Sequence, residues 1–246
     1  VDFLLIQTSS CSAGEQLYPL TNITNKIGIW AIPDKEVEGD VKLHSLVSTS
    51  HFLGIIKKNL KEKKIKTKWF YNFADTDEFK NKFIITIRSL FGVKKIFNSK
   101  IGLIGGISPG FDNMKVDKHK LKQNIGVTIE EETISNLIKI AEKFDNELIN
   151  KEINKIKSVA TSISVSDEKS FDRVTRIYFA LKQIREQNNW DSLAVQCWSQ
   201  FQELYNIAPC MAYSWMGSED GIAVSCEGDV QGSISMLLLN YLSELE

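Results

Sequence analysis

Two stretches, Ile101-Gly-Leu-Ile-Gly-Gly106 and Gly221-Ile-Ala-Val-Ser-Cys-Glu-Gly-Asp-Val230, set the expected fold. Each is a short apolar run that stops at small or acidic residues. Such runs suit strands buried on both faces, as in a parallel sheet flanked by helices. The second run ends on two carboxylates, Glu227 and Asp229. In open parallel sheets, ligands bind in the crevice outside the carboxyl ends of the strands. Glu227 therefore stands where a functional group is expected, suited to a hard divalent cation or a proton transfer. Asp229 reads instead as the N-cap of a following helix.

Outward from these runs, strands and helices alternate. Strands are expected at 2–7, 27–32 and 67–71, the second stopped by Pro33. A turn through Ser9, Ser10, Ser12 and Gly14 leads to a short helix from Glu15, and another helix covers 43–60. A further helix carries Phe79, Phe83, Ile84, Ile87, Leu90 and Phe91, with Asp75 as N-cap and Gly92 as C-cap. The second half restarts with strands at 101–105 and 127–130. One amphipathic helix spans Ile134 to Leu148, and another runs from Phe171 to Ile184. Strand 193–197, a short helix with Phe201 and Leu204, strand 221–226 and a last helix from Ile234 to Leu245 complete the pattern. The fold class is α/β, with two Rossmann-like domains, residues 1–97 and 98–246.

A chain of 246 residues with 43% hydrophobic and 25% charged residues is ordinary for a globular protein. A net charge of −1 gives no pull toward nucleic acid or anionic membrane. No apolar run approaches the roughly 20 residues that span a bilayer. The lysine run from Lys57 to Lys68 reads as solvated surface. Cys11, Cys197, Cys210 and Cys226 include no C-x-x-C pair, so zinc binding is not expected at this spacing, and they read as buried, reduced cysteines of a cytoplasmic protein. The loop Ile104-Gly-Gly-Ile-Ser-Pro-Gly110 matches no nucleotide-binding fingerprint and reads as tight turn geometry or the lining of a small polar ligand site. The chain begins at Val1 within an expected strand, and both ends read as trimmed.

The run Leu193-Ala-Val-Gln-Cys-Trp198, then Pro209-Cys210, Ser225-Cys-Glu-Gly-Asp-Val-Gln-Gly232 and Ser235-Met-Leu-Leu-Leu239, resembles the L-fucose/L-arabinose isomerase superfamily, in particular its fucose isomerase-like proteins. The order of elements fits over most of the chain, and about the last fifty residues carry the specific part. The resemblance implies a cytoplasmic aldose–ketose isomerase with two α/β domains and a C-terminal barrel-like domain, assembled as homo-trimers or hexamers. It implies a divalent metal, usually Mn2+, and proton transfer between adjacent carbons of a sugar substrate through an enediol. By position, Glu227 resembles the carboxylate metal ligand after the last parallel strand.

Two positions compete for the second carboxylate. Relatives often carry a glutamate after Cys-Trp-Pro, where this chain has Ser199 and Gln200; Glu203 lies twenty-four residues before Glu227. Glu203 and Glu227 are thus the expected catalytic and metal-binding pair. Gln200, Trp198, Ser108 and Asp112 are the expected substrate contacts. The family's histidine ligand lies in the C-terminal domain, and this chain has no histidine after His119. The chain alone is therefore expected to be inactive. The alternative is a non-catalytic sugar-binding or regulatory relative on the same scaffold, which Gln200 favours.

Overall fold

A computed structural model describes residues 1–34, 38, 43–164 and 167–243. The chain divides into two compact units, Val1–Leu90 and Phe91–Glu246. Both are α/β units built on parallel sheets, as the apolar runs imply.

The first unit carries β1 (Leu4–Thr8), β2 (Lys26–Ala31) and β3 (Lys66–Tyr71), in parallel order β1-β2-β3. Side chains alternate across a strand, so Ile27 and Ile29 of β2 share one face. There they pack with Leu17 of α1 (Leu17–Leu20) and Phe52, Ile56 and Leu60 in and beside α2 (Ser45–Asn59). Trp30 contacts Phe79 at the start of α3 (Asp77–Phe97), and Phe79 and Phe83 of that helix stack. Gly28 leaves room for the Phe70 ring, which would lie 3.1 Å from an added Cβ.

Two expected caps move. Thr76, not Asp75, caps α3: its hydroxyl accepts from the Phe79 amide at 3.3 Å. Gly92 does not end the helix, which runs on to Phe97. An added Cβ at Gly92 would lie 3.0 Å from Leu242 and 3.2 Å from Leu238, so this glycine serves a close helix approach.

The second unit carries β4 (Lys100–Ile104), β5 (Thr128–Glu132), β6 (Ser192–Val195) and β7 (Val224–Ser225), all parallel, in order β5-β4-β6-β7. Ile104, Leu193 and Val195 face a core shared with α5 (Ile134–Ala141), α7 (Glu168–Asn188), α8 (Gln200–Tyr205) and α9 (Cys210–Asp220). Ile101, Leu103 and Ala194 face the other side, toward Ile96 and the Val230, Leu237 and Tyr241 positions of α10 (Val230–Ser243). Fully burying each Ile or Leu contributes about 1.5–3 kcal/mol. Gly102 is required by the Trp190 ring, which an added Cβ would meet at 2.1 Å. Trp190 also donates to Glu130 at 2.7 Å, and this bond, with the Lys100 ammonium, holds that carboxyl below its ordinary pKa.

The expected 134–148 helix is two helices, α5 and α6 (Asn146–Val159), because Asp145 caps the second through the Glu147 amide at 2.7 Å. Helices α4 (Lys118–Ile125) and α9 are additional to the expected elements. The expected strand 221–226 shrinks to Val224–Ser225, because Gly221 (φ 64°) forms the left-handed C-cap of α9. No helix among the described residues is long and apolar enough to cross a membrane.

Candidate functional site

The strand order places a switch point between β4 and β6. From β4 the chain crosses to β5 on one side, and β6 adds on the other. In doubly wound sheets, ligands bind at the carboxyl ends of the strands beside such a switch point. Three loops meet at this end: 105–110 after β4, 196–199 after β6 and 226–229 after β7.

Backbone bonds tie them together. The Ser108 amide donates to the Glu227 carbonyl at 3.1 Å, the Gly228 amide to the Val195 carbonyl at 3.1 Å, and the Gln196 amide to the Ile104 carbonyl at 2.9 Å. The Gln196 side chain donates to the Ile107 carbonyl at 3.2 Å. Glu227 (φ 59°) and Gly228 (φ 73°) both adopt left-handed backbone, which turns the chain sharply at the end of β7. A non-glycine residue held there costs of order 1–3 kcal/mol. At Gly228 a side chain is excluded outright, because a Cβ would lie 2.1 Å from the Gly106 carbonyl oxygen.

This turn aims the half-buried Glu227 side chain back at β6. Its Oε1 accepts from the Cys197 thiol at 3.1 Å. Its Oε2 is buried and has no hydrogen-bond partner. Cys226 completes the group: the ligand atoms of Cys197, Cys226 and Glu227 all lie within 4.8 Å of one another. Burial pushes the Cys197 thiol well above its ordinary pKa, and hydrogen bonds with Cys226 and Glu227 push the same way. Burial likewise raises Tyr213, whose hydroxyl donates to the Gln196 carbonyl at 3.3 Å, and the Cys210 thiol. Ser108 is 2% exposed, and its hydroxyl has no partner.

The other expected site residues lie as follows. Gln200, at the start of α8, donates to the Gly105 carbonyl at 3.2 Å and to the Gln196 side chain, so its amide braces the glycine-rich loop. Trp198 is 55% exposed, three residues past the end of β6 and next to Cys197. Glu203 is exposed on α8 and accepts from the Ser199 hydroxyl at 2.5 Å; it is not among the three groups gathered at Glu227. Asp112 is exposed and paired with Lys115 at 2.5 Å, whose hydrogen bond and charge hold its carboxyl below the ordinary range. Asp229 caps α10 through the Gly232 amide at 2.9 Å, as its position implied. Of the four cysteines expected to be buried, Cys11 and Cys210 are exposed, because each lies in a loop or at a helix start rather than in a strand; Cys197 and Cys226 are neighbours, where the spacing implied only inert thiols. The signal was present, since both stand just past the carboxyl ends of adjacent strands, the argument already applied to Glu227.

No family model matches the chain. The chain is 24% identical over 246 residues to the sulfoquinovose isomerases of Priestia aryabhattai and Priestia megaterium, covering 99% of its own length and 53% of theirs. It is 24% identical over 220 residues to the sulfoquinovose isomerase of Alkalicoccus urumqiensis, covering 87% of the chain and 47% of that protein. The chain thus spans about half the length of the curated relatives it matches, and along almost all of its own length it is similar to proteins named as sugar isomerases.

Proposed function

We propose that the chain forms the two α/β units of an aldose–ketose isomerase related to the fucose isomerase-like proteins. The similarity over 99% of the chain to proteins named for sugar isomerisation carries this reading. Sulfoquinovose, named in those relatives, is the first substrate to test. The chemistry moves a proton from C2 to C1 of an open-chain sugar through an enediol, while the C1 oxygen gains a proton and the C2 oxygen loses one. A positioned carboxylate can shuttle these protons. Glu227 fits that role, since one of its oxygens is buried without a partner at the crevice. Glu203 is the candidate second carboxylate, and exposed Trp198 offers a flat face to a sugar ring. Gln200 and Ser108 would line the crevice, and Asp112 would reach substrate only by leaving Lys115. Assembly as a trimer or hexamer belongs to the same reading.

The manganese implied by the resemblance is matched poorly by this donor set. Manganese favours oxygen donors. The donors beside the Glu227 carboxylate are two thiols, and Glu203 is held by Ser199.

Gln200 supports a second reading, a sugar-binding relative without turnover. It stands where the resemblance implies a glutamate, and its amide is committed to Gly105 and Gln196. The full-length protein that carries this chain should be incubated in D2O with sulfoquinovose and a panel of aldoses, followed by NMR. Ketose formation with solvent deuterium at C1, lost in Glu227→Gln, is the expected result. Sugar binding without exchange would favour the second reading, and neither binding nor exchange would remove both.

A further inference from the structure

We propose that Cys197, Cys226 and Glu227 form a binding site for a thiophilic divalent cation of the zinc class. This inference does not rest on the isomerase reading. Two sulfurs and one carboxylate oxygen form a borderline-soft donor set, which selects zinc-like ions over manganese or magnesium. The dimensions agree. A tetrahedral zinc with bonds of about 2.3 Å to sulfur and 2.0 Å to oxygen separates its ligand atoms by about 3.5–3.8 Å. Here the Cys197 sulfur is 3.1 Å from Glu227 Oε1, and all three ligand atoms lie within 4.8 Å of one another. Small side-chain rotations close this set around one ion.

Two further observations point to a ligand. Glu227 Oε2 is buried with no partner, and a buried carboxylate oxygen is costly unless something compensates it. Ser108, 2% exposed in the loop bonded to the Glu227 carbonyl, also keeps an unpartnered hydroxyl. Three protein ligands leave the fourth tetrahedral position open to water or a polar ligand, as in catalytic rather than structural zinc sites. The supports are rigid: Cys197 follows the buried strand β6, and Glu227 is fixed by the left-handed turn at Gly228. Binding displaces two thiol protons to solvent, and the cation stabilises the resulting thiolates.

The test is titration of the fully reduced chain with Co2+ and Cd2+, read by absorption, with circular dichroism as a check on folding. One equivalent of Co2+ should give tetrahedral d–d bands and a sulfur-to-cobalt charge-transfer band. One equivalent of Cd2+ should give a thiolate-to-cadmium band, and Zn2+ should displace both ions. Cys226→Ser, Cys197→Ser and Glu227→Gln should each weaken binding at least tenfold, since removing even outer-shell partners costs roughly that much. Cys11→Ser, in the first unit, should leave binding unchanged. An octahedral cobalt spectrum without a sulfur band, no binding, or equal binding by Cys226→Ser would overturn the proposal. The wild-type spectrum decides even if Cys197→Ser fails to fold. The spectra need no sugar, so a negative result here leaves the isomerase reading standing, and a lack of turnover leaves this one standing; the two share Glu227, of which one oxygen would hold the cation and the other would remain for proton transfer.

Discussion

Among the described residues, the hydroxyls of Thr8, Ser45, Ser48 and Thr49 at the carboxyl end of the first sheet are hydrogen-bonded, whereas at the same end of the second sheet Glu227 Oε2 and the Ser108 hydroxyl have no partner. In the first unit Thr8 ends β1, and its hydroxyl lies 2.7 Å from Thr49, 3.0 Å from the Ser45 carbonyl and 3.1 Å from the Trp30 carbonyl. Ser45 accepts from the Ile32 amide at 2.8 Å, and Ser48 accepts from the Ser12 amide at 2.7 Å. The opening turns of α2 thus plug the crevice with satisfied bonds. In the second unit the equivalent place holds Glu227 and Ser108, each with an unpartnered buried atom, beside two thiols. The architecture is shared, and the difference is in polar satisfaction. A parallel sheet offers a crevice at its carboxyl end; the side chains there decide whether it is sealed or left to receive something.

Substitutions can break this comparison, and the largest effect is expected at Gly228. Gly228→Ala should destabilise the second unit by about 3 kcal/mol or more, combining left-handed strain with the collision at Gly106. Denaturant unfolding would show it, and a wild-type midpoint would mean that the junction of the two loops is slack. Thr8→Val comes next. It keeps the shape but takes from the Thr49 hydroxyl its partner and from the Ser45 and Trp30 carbonyls a donor they share, at about 1–3 kcal/mol. A neutral result would show that water already serves that network. Ser108→Ala is expected to be smallest, within about 0.5 kcal/mol, because its hydroxyl bonds nothing. A loss as large as that of Thr8→Val would mean Ser108 has a partner in solution, and the contrast between the two sheet ends would shrink.

The sheets were legible because β4 and β6 are continuous apolar runs bounded by glycine or polar residues, a pattern a strand buried on both faces must show. The position of Glu227 at the carboxyl end of a strand was legible for the same reason, since the apolar run stops there. Helix boundaries were less legible. Gly92 reads equally as a cap or as a contact for Leu242, and only packing decides. Helix α9 was hidden because its buried residues Ala212, Tyr213, Trp215 and Met216 follow no clean stripe and sit between Pro209 and Gly221. The two thiols escaped because buried cysteine passes as small core filler. Their meeting depends on the pairing of β6 with β7, which brings Leu193 beside Val224 across intervening helices.

The strand order β5-β4-β6-β7 also has a kinetic consequence. Strand β4 finds β5 a short distance along the chain, but its pairing of Ile101 with Ser192 must wait until the whole segment between them, with helices α4 to α7, has closed. Distant pairings form slowly, because loop entropy is lost before contacts compensate it. The loops after β4 and β6, which meet only through that pairing, are therefore expected to come together late. A collapsed intermediate would hold its helices well before it held the crevice.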